Sequence, residues 1–124
     1  MRLKPNTLIV VAGPTASGKT ALAIQIAKAV DGEIVSADSM QIYRGVDIAT
    51  AKPTPEELAA VPHHLIGFLP MDRAFSVADY AELARKEIND ILSRGKVPVL
   101  CGGTGLYIKA IVDNVQYSLS LIHI

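Results

Sequence analysis

Apolar positions along the chain follow two rhythms. Short unbroken runs, Thr7–Ala12 (TLIVVA), 33–37 (EIVSA) and 97–101 (VPVLC), are rich in β-branched residues and lack alternation. That is the pattern of parallel strands buried on both faces, with Pro98 tolerable near a strand start. Between them the apolar residues recur at helical spacing. Residues 20–30 place Leu22, Ile26 and Ala29/Val30 on one face, and Asp31-Gly32 stops the helix. Thr54-Pro55-Glu56-Glu57 carries the marks of a helix start, with Thr as N-cap, Pro at the first position and Glu three residues on; Pro62 keeps that helix short. Ser76 with Asp79 marks a second start. Behind it Val77, Tyr80, Ala81, Ala84, Ile88, Ile91 and Leu92 form an apolar stripe that ends at Gly95. A last helical stretch covers 106–112.

Strands alternating with helices imply βαβ units, right-handed crossovers and an α/β fold, a P-loop NTPase-like parallel sheet flanked by helices. Ligands of such sheets bind beyond the carboxyl ends of the strands. The segments 13–20, 38–43 and 102–105 all follow strands, so they should share one rim. No internal repeat or linker interrupts the chain.

Composition narrows the function classes only modestly. Of 124 residues, 50% are hydrophobic and 19% charged, and Lys+Arg and Asp+Glu are both 12. A formal charge of zero gives no global signature of nucleic-acid binding, although a local basic patch remains compatible with it. One cysteine, Cys101, allows no internal disulfide and suits a reducing cytoplasm. No apolar run has membrane-spanning length. The basic-then-apolar N-terminus runs straight into a glycine loop, so it reads as a strand rather than a signal peptide.

Chemistry concentrates in that loop. Residues 13–20, GPTASGKT, fit G-x-x-x-x-G-K-[ST]. Gly13 and Gly18 let the backbone turn its amides inward on phosphate oxygens; Pro14, Thr15, Ala16 and Ser17 complete the cradle. The following helix adds its positive end, Lys19 a mobile cation, and the Thr20 hydroxyl a ligand for Mg²⁺. The motif specifies a polyphosphate site, not the molecule that carries the phosphate. Asp38, at a strand end beside this loop, suits either water-mediated Mg²⁺ binding or general-base catalysis. Gln41 offers a donor and an acceptor to a purine edge. Cys101 reads as core, and His63-His64 lack companions at zinc-ligand spacing. Arg44 and Lys52 suit phosphate contacts or plain solvation, and Tyr43 and Tyr107 suit base stacking or core packing. A small-molecule or nucleotide kinase, a regulatory nucleotide-binding module and a group-transfer enzyme with a diphosphate leaving group all remain open on these residues.

GPTASGKT, SADSMQIYRGVDIATAKP, PHHLIG, FSVADY and VPVLCGGTGLYIKAIVDNVQYS, taken together and in order, resemble the N-terminal part of the bacterial tRNA dimethylallyltransferase (tRNA isopentenyltransferase) family. The resemblance covers nearly all of residues 5–118. Two positions depart: Ala49 stands where the family usually has Gly, and Gly67 where it usually has an acid. Neither touches the phosphate loop or Asp38. The resemblance implies that the loop holds the diphosphate of dimethylallyl diphosphate and that the prenyl chain moves to N6 of the adenosine 3′-adjacent to the anticodon in tRNA. It implies catalytic roles for Asp38, as base and orienter of the amine, and for Thr104. It implies tRNA contacts from Asp38, Ser39, Met40, Gln41 and Thr104, with Mg²⁺ as cofactor. It further implies a cytoplasmic, monomeric enzyme, longer than this chain, with a helical insertion and a C-terminal tRNA grip after residue 118. The runner-up is a P-loop small-molecule or nucleotide kinase, and the adenylate isopentenyltransferases, which prenylate free AMP or ADP, are a close relative within the first reading. Residues 1–118 are thus expected to form the P-loop core of a longer enzyme, inactive alone. Residues 119–124 (LSLIHI) match the translation of a transposase end sequence used in sequencing libraries and are read as a non-native tail.

Overall fold

The computed structural model describes residues 6–13, 18–39, 41–44, 54–113 and 120–123. Among these residues nine elements follow in order: β1 (Thr7–Ala12), α1 (Lys19–Val30), β2 (Gly32–Ser36), α2 (Pro55–Ala60), β3 (His63–His64), α3 (Val77–Ser93), β4 (Val97–Gly102), α4 (Gly105–Val112) and β5 (Ser120–His123). The strands form one sheet in the order β3-β2-β4-β1-β5, and every pairing is parallel. The expected α/β architecture is present.

The unbroken apolar runs become strands covered on both sides. Leu8, Val10, Val35, Ala37 and Leu100 face a cluster with Tyr80, Ala84, Ile88 and Ile91 of α3 and Tyr107, Ile108 and Ile111 of α4. Their alternate neighbours Ile9, Val11, Ile34, Val99 and Cys101 face Ala23, Ile24, Ala27 and Val30 of α1. Period-two side-chain alternation therefore divides each strand between two helical layers.

Both expected helix starts are full capping boxes. Thr54 pairs reciprocally with Glu57, and Ser76 with Asp79. At the end of α3, Gly95 has φ 77, its amide donates to the Leu92 carbonyl, and the Lys96 amide donates to that of Ile91. This is the paired closure that a left-handed glycine permits. Asp31, also left-handed, ends α1.

The buried face of α1 matches the expectation at Val30, with Ile26 partly buried against the same cluster, and differs elsewhere. Leu22 is 41% exposed, and the face against the sheet is Ala23, Ile24, Ala27 and Val30. Ala23 and Ala27, both fully buried, place small side chains on the face that packs against the sheet. β3 was not anticipated, because two residues carry no periodicity. Residues 120–123, within the segment read as a tail, lie beside β1 with Thr7 opposite Ser120 and Val10 opposite His123.

Candidate functional site

The strand order puts the carboxyl ends of β2, β4 and β1 side by side, and the segments that follow them meet. The Gly13 amide, just past β1, donates to the Gly102 carbonyl at 3.3 Å. The Thr104 amide, just past β4, donates to the Ala37 carbonyl at 3.1 Å. The Ser39 amide, just past β2, donates to Thr104 Oγ1 at 2.8 Å. The expected common rim is thus built from backbone as well as side chains. Gly102 makes it possible: a Cβ there would run into the Ala37 carbonyl and stand 2.8 Å from the Ala37 Cα.

Thr104 holds the N-cap position of α4, yet its side chain makes no capping bond. A threonine there normally accepts from an amide of its own helix. Here the hydroxyl reaches across to Ser39, both to its amide and to its Oγ at 3.3 Å. It ties the loop bearing Asp38 to the second glycine turn.

On the phosphate-loop side, Gly18 is left-handed (φ 78) and starts α1, with the Leu22 amide donating to its carbonyl. Lys19 is buried and Thr20 half-buried in the first turn. Asp38 is buried at the end of β2. Cys101 senses both charges: burial pushes its thiol up to about 11, Lys19 pulls against that and Asp38 adds to it. Cation and carboxylate therefore both lie within electrostatic reach of one β4 side chain. Its sulfur contacts the Lys19 carbonyl at 3.9 Å, so Cys101 is a core group of the site's floor.

The loop 38–44 is laced to 67–69. The Gln41 amide donates to the Asp38 carbonyl, the Gly67 amide to that of Gln41, and the Arg44 amide to that of Leu69. Gly67 has φ 63, a conformation glycine adopts freely. Gln41 is buried and its Oε1 accepts from Ser36 Oγ at 3.1 Å. Thr20, Ser36, Gln41, His63 and Cys101 line one narrow crevice. Burial lowers the pKa of His63, whose Nδ1 lies 2.8 Å from the Val61 carbonyl. Tyr107 is buried and stacked on Tyr80, with ring centroids 4.0 Å apart, so its ring packs in the core. Tyr43 forms a bridge to Leu69, and Arg44 is exposed. Pro14, Thr15, Ala16, Ser17, Met40, Ala49 and Lys52 lie outside the described residues.

Sequence reasoning missed the charge cluster at the other end of β2. Buried Glu33 receives Arg94 through two bonds, Nη1 to Oε2 at 2.5 Å and Nη2 to Oε1 at 2.9 Å. His64 Nε2 lies 2.7 Å from Glu33 Oε1, and its Nδ1 lies 3.1 Å from Glu87 Oε2. Arg94 beside it holds the Glu33 carboxyl down at about 2 despite burial. Among the described residues no group of three or more His, Cys, Asp or Glu could hold a metal, and no helix is long and apolar enough to cross a membrane.

Comparison with known proteins gives this geometry a context. A family model described as IPP transferase matches residues 41–120. A tRNA dimethylallyltransferase of Salinispora tropica is 52% identical over 115 residues, which are 93% of this chain and 36% of that protein. The solved full-length tRNA isopentenylpyrophosphate transferase of Bacillus halodurans superposes with a TM-score of 0.83 at 47% identity, over 92% of this chain and 37% of that one. A eukaryotic dimethylallyltransferase acting on tRNA gives 0.81 at 34% identity, over 85% and 26%. The chain spans about a third of the length of the curated relatives it matches.

Proposed function

The chain belongs to the IPP transferase family, and on that premise we propose that the protein containing it is a tRNA dimethylallyltransferase. It moves a dimethylallyl group from dimethylallyl diphosphate to N6 of the adenosine 3′-adjacent to the anticodon in tRNA. The observation that carries this reading is the meeting of three strand ends: the loop bearing Asp38 after β2 is bonded to Thr104 after β4, and the Lys19 carbonyl at the start of α1 lies against Cys101 of β4.

In the proposed reaction the loop 13–20 and the N-terminus of α1 bind the diphosphate with backbone amides, and Lys19 adds a positive charge. The N6 lone pair attacks the allylic carbon as its bond to the diphosphate oxygen breaks. The bond electrons leave with the diphosphate, and the N6 proton passes to the Asp38 carboxylate. Thr104 holds the backbone next to Asp38 through Ser39 and contacts the tRNA, as do Ser39, Met40 and Gln41. The adenine leaves the anticodon-loop stack to reach this rim. Mg²⁺ fits the donor chemistry, since the Thr20 hydroxyl is a hard oxygen and a diphosphate supplies more. The ion would neutralise charge on the leaving diphosphate.

The test is Asp38→Asn in the full-length protein. Dimethylallyl diphosphate affinity should persist, while single-turnover prenyl transfer falls roughly 10²–10⁴-fold, the range for losing a positioned base. Loss of donor affinity together with turnover would move Asp38 to the metal. Phosphate transfer from ATP without prenyl transfer by the unmutated enzyme would overturn the reading.

A further inference from the structure

The base assigned to Asp38 acts only as precisely as the end of β2 is held, and one side chain of α3 reaches that end. Tyr80 is completely buried, and its hydroxyl donates to the Ser36 carbonyl at 2.6 Å. Side alternation along β2 explains why that carbonyl needs a donor. The Ile34 amide donates to the Pro62 carbonyl on the β3 side, so Ser36, two residues on, faces the same way. But β3 ends at His64, and Leu65 turns off with φ 66. No further β3 residue continues the ladder there, and Tyr80 takes its place. On the opposite side, the Ala37 amide and carbonyl are bonded to Cys101 and Thr104. The chain entering Asp38 is therefore gripped from both edges, by β4 on one and by Tyr80 on the other.

Stacking on Tyr107 at 9° fixes the Tyr80 ring, and burial keeps its hydroxyl protonated as a donor. We propose that Tyr80 is a positioning residue for the transfer reaction: its hydroxyl substitutes for the missing strand bond and sets the placement of Asp38. This rests on the reading of Asp38 as the base.

The experiment is a double-mutant cycle of Tyr80→Phe and Asp38→Asn in the full-length enzyme, read by single-turnover prenyl transfer and donor affinity. Ile88→Val, a buried truncation on the same face of α3, serves as the control for general loosening of the helix. Tyr80→Phe should lower turnover about 10–100-fold, the scale of a small misplacement of a reacting group, with donor affinity within about twofold. It should cause no further loss in the Asp38→Asn background, and Ile88→Val should keep wild-type turnover at a temperature where all variants are folded. Wild-type turnover in Tyr80→Phe, an equal loss in the Asp38→Asn background, or the same loss in Ile88→Val would overturn the positioning role while leaving Asp38 as base. Full turnover in Asp38→Asn would overturn the base reading and the proposal with it.

Discussion

Glu33→Gln keeps the shape of a buried side chain and removes the charge that Arg94 and His64 converge on. The Arg94 guanidinium, bonded to both oxygens, holds the Glu33 carboxyl at about 2 rather than 4.5. Each unit of depression corresponds to about 1.4 kcal/mol, so the shift represents about 3 kcal/mol of native-state stability. Arg94 is 39% exposed, and solvent screening at its end of the pair reduces this to about 1–3 kcal/mol. The amide cannot recover it, because its NH₂ must face a guanidinium N–H. A carboxyl depressed in the folded state stabilises fully above its unfolded value and loses that contribution as pH falls through the folded one. The wild-type advantage should therefore be complete at pH 7, shrink below about 4.5 and vanish near 2.

Urea midpoints for wild type and variant across that range are the assay. A gap that stays constant with pH, or widens towards acid, would refute the assignment of the stability to this charge. Glu33 lies near the start of β2 and Asp38 beyond its end, so prenyl transfer at neutral pH should survive in the folded variant.

Three further outcomes follow from the rim. Lys19→Ala should weaken pyrophosphate binding roughly 10–150-fold by calorimetry, the value of a charged hydrogen bond, and unchanged affinity would remove this lysine from the site. Gly102→Ala drives a Cβ into the Ala37 backbone, so thermal unfolding should show a loss of at least about 1–3 kcal/mol together with loss of transfer; a neutral melting temperature would mean that β2 and β4 can separate freely there. Deleting 119–124, which we propose to be non-native, should leave the melting temperature unchanged or raised, and a drop of several degrees would make the pairing of Ser120–His123 with β1 part of the fold.

Legibility in the sequence tracked the range of the interactions. Both capping boxes and the α3 stripe are local patterns, and they appear in the structure at the expected residues. The shared rim was also readable, because parallel strands deliver their following loops to one edge. The buried face of α1 was read correctly at Val30 and only partly at Ile26, and wrongly at Leu22, since periodicity gives weight to large apolar residues whereas the face against the sheet also uses Ala23 and Ala27. The Glu33 cluster had no local sign: His64 lies 31 residues away and Arg94 lies 61. Tyr80 was visible as a stripe member, but the use of its hydroxyl depends on Ser36, 44 residues earlier, and on where β3 stops.

The position of β4 between β1 and β2 bears directly on the proposed chemistry. In-line displacement needs the nucleophile and the leaving group on opposite sides of one carbon. Strands β1 and β2 stand two strand spacings apart, about 10 Å, and on the proposed reading that interval takes the allylic carbon and the attacking amine. The turn after β4 is bonded to both neighbours, through the Gly102 carbonyl to Gly13 and through Thr104 to Ala37 and Ser39. Gly102 removes the Cβ that would hold β2 away, and Thr104 turns its hydroxyl from its own helix to the Asp38 loop. A bulkier residue at either place would change the separation of donor and acceptor before it touched any reacting atom. On the proposed reading, the second glycine turn acts as the spacer between donor and acceptor.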